Sequence, residues 1–427
     1  MRTKLLEKIH SVLKFMYKRF FSRFQFFVSL KKKFLPLYLK FFAKQIVTHP
    51  TFPASYYDVN YNLCHTSDLA FSSLDVSEQN DFYSVKNVTV LSKSRLFFDT
   101  EEKMAFYDIG ESTEHLKNLL KDYVLHDELF KIIRWDEQNK ELQFSSTLVL
   151  PSLELKGTWI SLTHHGSENW MHWISEILPK VMAGGRLIDE DIGIIVDSNL
   201  PKTMYESLSL LLPKNCVVIT RPHTSVLVET LLVPKKVGYT LMWERVSADK
   251  AKGVWFFDPT SLIATKNYLV SNYCSDQTVL NNQNIYLRRK SSFRKIKNES
   301  YVHISLRKLG FFSIFTNKMS LKEQINTFNS AKLLVTQAGA ALANIMFMPE
   351  KSHVIVIAAN SKYLHYAYFE EWANLFDVSL EYLKSVSKSE EPYKKDMVFS
   401  VNHPVNQDVF CNINNLINLI QRKVFHD

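Results

Sequence analysis

From residue 284 to residue 359 the chain switches repeatedly between two hydrophobic periods, and that alternation limits the possible folds most. "NIYLRR" reads as a strand, a basic loop leads to a helix near 298–309, and "FFSIFT" is a strand again. "SLKEQINTFNSA" is a helix opened by a capping box from Ser320 to Glu323. "KLLVTQ" follows as a strand, "GAALANIMFM" as a tight turn into a helix, and "HVIVIAA" as a strand. Neighbouring parallel strands need a crossover, which is usually a helix, so this order predicts a parallel, doubly wound sheet.

Upstream the pattern is less regular but still α/β. "VTVLSKSRLFF", "ELQFSSTLVL" and "TWISLTH" read as strand runs. After them "IGIIVD", a helix near 201–212, "CVVIT" and "VLVETLLVP" give strand, helix, strand, strand, with another helix near 259–272. The division expected is an arm over 1–48, a loop-rich linker over 49–85, and a first α/β domain over 86–274. A Rossmann-like nucleotide domain over 275–390 and a closing helix region over 391–427 complete it. A chain of 427 residues is long enough for two such domains.

Charge is concentrated at one end. The first 45 residues hold twelve Lys and Arg against one acid, Glu7, a net +11, whereas the whole chain carries +9, so the rest is near neutral. This argues against a nucleic-acid-binding body. In the arm, Phe and Leu alternate with Lys and Arg, with no run of about 18 apolar residues, as expected of a helical segment lying on an anionic membrane surface. The four cysteines are far apart and form no C-x-x-C pair, so they read as reduced core thiols.

Three stretches carry chemistry. In "ENWMHWISEILPK" a straight helix puts Trp170, Trp173, Ile174, Ile177, Leu178 and Val181 on one face. His172 and Glu176 then share the opposite face, one turn apart. On that geometry His172 is the candidate general base and Glu176 or Glu168 its orienting partner. Ser167 and Asn169 lie beside them as sugar or phosphate contacts. In "YLRRKSSFRKIKNES", Arg288, Arg289 and Arg294 crowd the exit of a strand, where a doubly wound sheet binds ligands, and suit a diphosphate. In "TQAGAALANIMFMP", Gly339 and Ala340 let backbone N–H groups approach an anion at a helix start, and Asn344 could bond a nucleotide or sugar. The spacing of His164, His165 and His172 matches no standard zinc site, and the acidic run at 189–191 reads as a solvated loop, so no metal is expected.

Taken in this order, the stretches resemble glycosyltransferase family 61. Asn169, His172, Trp173, Glu176, Leu178 and Pro179 match its "N-[YWF]-x-H-W-x-x-E-x-L-P" segment. Tyr286, Arg288, Arg289, Arg294, Asn298 and Glu299 match its arginine motif, Glu323 and Gln324 its "E-Q" helix. Gly339, Ala340, Leu342, Asn344 and Phe347 match its "H-G-A-G-L-[TA]-N-x-x-F" turn, with Ala338 and Ala341 standing where the family has His and a second Gly.

The resemblance implies a GT-B-like fold, two Rossmann-like domains with a cleft between them. It implies an inverting glycosyltransferase that uses a nucleotide-sugar as co-substrate and needs no metal or other cofactor. Arg288, Arg289, Arg294, Gly339, Ala340 and Asn344 would hold the donor, and Glu168 and Asn169 would face the acceptor. The acceptor implied is a lipid-linked surface polysaccharide of capsule or lipopolysaccharide type, at the cytoplasmic face of a bacterial inner membrane. The alternative is a non-catalytic polysaccharide-binding or assembly subunit with the same fold.

Overall fold

The computed structural model describes residues 59–65, 76–79, 81–99, 101, 103–108, 133–136, 141–144, 151–188, 191–211, 217–220, 224–236, 238–240, 255–274, 283–290, 294–360, 367–385 and 408–425. The chain divides into a unit 1–46 and a unit 47–427. The basic arm expected over 1–48 lies outside the described residues. The larger unit holds two main sheets.

The first sheet contains β1 (Val59–His65), β2 (Val76–Gln79), β3 (Phe82–Leu91), β4 (Leu96–Asp99), β5 (Met104–Tyr107), β6 (Ile133–Asp136), β7 (Glu141–Phe144), β8 (Glu154–Ser161), β9 (Gly193–Asp197), β10 (Val217–Thr220) and β11 (Ser225–Pro234). Their order is β10-β9-β8-β11-β3-β4-β5-β1-β7-β6, with β2 beside β3. The four strands β10, β9, β8 and β11 run parallel. Renumbered along the chain from β8, they stand in the 3-2-1-4 order of a dinucleotide-type half, with the reversal between β8 and β11. Beyond β11 the pairing is antiparallel except for β1 with β5. The sheet is therefore mixed, and strands run through the 49–85 stretch that the sequence reading gives to a linker.

"VTVLSKSRLFF" is not one strand but a hairpin, β3 and β4 joined by the polar turn 92–95, where Lys93 adopts φ 54°. Helix α1 (Lys202–Leu211) connects β9 to β10. A two-stranded ribbon, β12 (Tyr239–Thr240) with β13 (Trp255–Phe256), precedes α2 (Pro259–Tyr273). Pro259 opens α2 where an N–H would be unbonded anyway, and the Asp258 side chain caps the Ser261 N–H.

The second sheet follows the sequence pattern closely. It holds β14 (Gln283–Leu287), β15 (Phe312–Ile314), β16 (Ala331–Gln337), β17 (His353–Ala359) and β18 (Ser379–Ser385), in the order β15-β14-β16-β17-β18 and all parallel. Counted along the chain this is 2-1-3-4-5, a doubly wound order with its switch point between β14 and β16. The helices are α3 (Glu299–Lys308), α4 (Leu321–Asn329), α5 (Ala367–Leu375) and α6 (Ile413–Phe425). The Ser320–Glu323 capping box forms as read, with Glu323 Oε2 accepting from the Ser320 N–H at 2.7 Å. Leu416, Leu419 and Ile420 of α6 pack on Tyr286, Leu333, Val335, Ile355 and Ile357. Burying each of those α6 side chains contributes about 1.5–3 kcal/mol, which is how the terminal helix closes this face.

Candidate active site

The helix expected over 168–184 departs from a uniform 100° per residue. It begins as an α-turn at Trp170–His172, widens to a π-turn at Trp173–Ile177, and tightens to 3₁₀ geometry at Leu178–Gly185, kinked at Met182–Gly184. Pro179 supplies the cause. Its ring would collide with the Ser175 carbonyl four residues back, and it has no N–H to donate. The chain widens instead, and Leu178 N–H bonds Trp173 O five residues back.

The winding corrects the polar face read from the sequence. Glu176 is 1% exposed rather than open on the far side of the helix. Trp173 is also fully buried, its Nε1–H donating to Ser207 Oγ at 3.0 Å. A single helical wheel assigns one phase to all 17 positions, and the π-turn shifts that phase midway.

Three segments meet around the Glu176 carboxylate. His172 Nδ1 lies 2.5 Å from Oε1, while Arg95 Nη1 donates to Oε2 at 3.2 Å and His164 Nε2 approaches it at 3.3 Å. Arg95 comes from the β3–β4 turn, and His164 from the loop leaving β8 at the switch between β8 and β11. Gly166 N–H donates to His164 Nδ1 at 2.8 Å, which puts the His164 proton on Nε2, facing the carboxylate. Burial alone would push the Glu176 carboxyl up, but the His172 charge and the hydrogen bonds from His164 and His172 outweigh it and hold it well below the usual range. Burial lowers His164 and the stacked His165 to about 3, so both are neutral.

The loop is fixed from below by Asp197 at the end of β9. Its carboxylate accepts the His164 N–H at 2.9 Å and the Lys93 N–H at 2.6 Å, and burial raises its pKa to about 6. Lys93 Nζ reaches Ser167 Oγ at 2.9 Å and Glu168 Oε1 at 2.8 Å, so Glu168 faces Lys93 at the rim rather than His172. Asn169 caps the α-turn, its Oδ1 accepting from Met171 N–H at 2.9 Å. Behind the network Lys180 and Asp108 form a buried ion pair. Gly166 is needed because an added Cβ would lie 2.7 Å from His172 Cδ2, a ring already held by Glu176.

The expectation of no metal is corrected here. His164, His172 and Glu176 each offer a ligand atom, and these atoms lie within 4.8 Å of one another. Two imidazoles and a carboxylate can hold an ion such as Zn²⁺ with a position left open. The Gly166 N–H on His164 Nδ1 means that such an ion would displace the Nε2 proton, so its affinity weakens as the pH is lowered. Equilibrium dialysis against zinc reads the outcome directly. Stoichiometric uptake that disappears in His172→Ala marks a metal site; no uptake marks a purely hydrogen-bonded network.

At the second sheet's switch point, Arg289 leaves β14 and donates from Nη1 to Ala338 O at 3.0 Å, beside the end of β16. Burial, with Arg294 nearby, lowers the Arg289 guanidinium to about 10. Arg288 is turned away, bidentate to Glu299 at 2.7 and 2.9 Å and stacked over Phe315. Gly339 has an extended φ of 167°, so its missing side chain matters for space: a Cβ would sit 2.8 Å from Arg289 Nη1. Ala340 begins a 3₁₀ segment, Ala340–Phe347.

The two sheets are joined through this turn. Asn344 is fully buried, accepts the Trp170 Nε1–H at 3.0 Å on Oδ1, and donates to Ala341 O at 3.1 Å. Trp170 stands two residues before His172, so the turn expected to hold the donor touches the helix expected to hold the base. Sequence reading singled out His172, Glu176, Arg289, Gly339 and Asn344 but missed Arg95, Lys93 and Asp197. For Lys93 and Arg95 the only sequence signal is the polar "SKSR" interrupting a strand-like run, and for Asp197 its place at the end of "IGIIVD".

Comparison with curated proteins returns no match. The family comparison matches the description Glycosyltransferase 61 over residues 170–355, from the start of the helix that carries His172 and Glu176 to the middle of β17. With its motifs meeting as just described, residues 170–355 are a glycosyltransferase family 61 domain.

Proposed function

We propose that the chain is an inverting glycosyltransferase of GT-B-like organisation. Its nucleotide-sugar donor lies against the switch point of the second sheet and its acceptor against the loop after β8. The observation that carries this reading is the 2.5 Å contact between His172 Nδ1 and Glu176 Oε1. In the neutral ring an ionised Glu176 accepts the Nδ1 proton, which leaves Nε2 as the basic nitrogen on a side chain 19% exposed, and Glu176 favours the charged form once the proton is taken.

In the proposed step the acceptor hydroxyl gives its proton to His172 Nε2 as its oxygen attacks the anomeric carbon. The bond to the diphosphate breaks on the opposite face, so the configuration inverts. Glu176 stabilises the imidazolium that forms, and Arg95 and His164 keep Glu176 in place. Arg289 and Arg294, with backbone N–H groups of 339–341, take up the charge developing on the leaving diphosphate. Two neighbouring guanidiniums, one largely desolvated, gain most from an anionic ligand. Arg288 orients α3 through Glu299 instead of gripping the donor. A lipid-linked surface polysaccharide is the acceptor in this reading, reached by peripheral contact with the cytoplasmic face of a bacterial inner membrane. No helix among the described residues is long and apolar enough to cross a membrane.

Transfer from a panel of UDP-, GDP-, CMP- and dTDP-sugars tests the proposal. One donor is expected to be consumed, and His172→Ala is expected to slow transfer by about 10²–10⁴-fold, the range for a general base. Polysaccharide binding without transfer from any donor would favour a non-catalytic assembly subunit. Arg289→Ala is expected to weaken donor binding by about 2–3 kcal/mol, as for a hydrogen bond to a charged group. Gly339→Ala should move binding the same way with little loss of stability, because only the mobile end of Arg289 has to shift. Equal nucleotide affinity in both variants would remove this turn from the donor site.

A further inference from the structure

Among the described residues, five of the seven exposed large hydrophobic side chains belong to α3, β15 and the segment beside them, the other two being Phe256 and Ile263. Tyr301 (69% exposed), Ile304 (52%), Leu309 (38%) and Phe312 (61%) fall within twelve residues of α3 and β15. Phe410 (58%) adjoins them, because Val409 bridges to Ile296 and Cys411 is bonded on both sides by the Asn298 side chain. On α3, Tyr301, Ile304 and Lys308 are spaced to share one face, while Val302 and Leu306 are fully buried on the other. The strand β15 is the edge of its sheet and pairs with β14 alone among the described strands. The exposed charges around this face are mostly cationic: Lys295, Lys297, Arg307 and Lys308, with Asp408 the nearby acid, accepting the Lys295 N–H.

We infer that the α3–β15 face is a membrane-docking surface that rests on anionic lipid headgroups. Aromatic and aliphatic side chains at the centre of a basic rim suit insertion at the headgroup boundary, with Lys and Arg meeting lipid phosphates. The charge also selects the occupant. The N-terminal arm carries +11 and would meet like charge here, and a second copy would bring the same basic rim. This surface deepens the peripheral membrane contact of the proposed function, and the vesicle test is separate from the sugar-transfer chemistry.

An environment-sensitive fluorophore on Ile304→Cys in the full chain tests it. Vesicles of phosphatidylcholine containing phosphatidylglycerol should blue-shift the probe, whereas phosphatidylcholine alone should not. The same probe on Lys202→Cys, exposed on α1, should not respond to either and controls for labelling of the native cysteines. Ile304→Ser with Phe312→Ser should lower partition onto the anionic vesicles by about tenfold or more, with the melting temperature and transfer to a soluble acceptor unchanged. An unshifted probe at 304 while the chain sediments with the vesicles would overturn the inference. A shift without lipid that grows with protein concentration would also overturn it, and would make the face a self-association surface.

Discussion

Glu176→Gln is expected to lower transfer by at least about 10²-fold and stability by about 3–5 kcal/mol, the usual cost of breaking a buried ion pair. The cause is geometric. Arg95 and Glu176 side chains are each 1% exposed, so the substitution removes a negative charge that faces the guanidinium at 3.2 Å, away from solvent screening. Gln keeps one acceptor oxygen where the carboxylate uses two, so either His172 Nδ1 or the Arg95 and His164 side meets an N–H₂, and the orientation of His172 Nε2 is no longer fixed by charge. Urea unfolding midpoints and transfer rates read the two effects separately. If the residues act as one unit, adding His172→Ala to Glu176→Gln should slow transfer little beyond the slower single variant. Independent, multiplying losses would mean that Glu176 acts on something other than His172, and an unchanged unfolding midpoint would contradict the buried pairing.

The second large effect is acid sensitivity. His164, held neutral at about 3 in the fold, has an ordinary value of 6.5, so the unfolded chain takes up a proton that the folded chain refuses. Its contribution is fully present above pH 6.5 and is lost as pH falls toward 3. His165, also lowered to about 3, acts in the same sense. Glu176, held well below its usual range, adds to the loss below pH 4.5. Asp197 opposes them. Raised to about 6 from 3.8, it stabilises the fold when protonated, and that contribution is lost as pH rises through 6. Unfolding therefore takes up about one net proton between pH 6.5 and 4.5, worth about 1.4 kcal/mol per pH unit. Between pH 6.5 and 4.5 these four groups should lower stability by about 3 kcal/mol. Urea midpoints across that range, with chelator present, measure it; a flat profile would remove burial as the control on the two histidines.

The sequence by itself determined the second sheet. Strand and helix periods are local, so the alternation from Asn284 to Ala359 specified the four parallel strands β14 to β17, though not the edge strand β18, and Ser320 with Glu323 marked a helix start four residues wide. It also placed Arg289 and Gly339 at strand ends, where the switch point brings them within reach of each other. Tertiary structure alone decided the rest. A hairpin turn brings Arg95 to Glu176 across 81 residues, and nothing local in "SKSR" encodes that meeting. Pro179 was visible, but its widening of the preceding turn depended on the burial of every side chain from Trp173 to Met182. That phase shift, with the packing around it, turned a carboxylate read as facing a cleft into the buried centre of the site. Arg288, the best-placed cation in the motif, was taken by Glu299, because a nearby carboxylate on α3 offered it a bidentate partner. Periodicity is written along the chain, whereas the pairing of buried charges depends on which distant segments share a low-dielectric space.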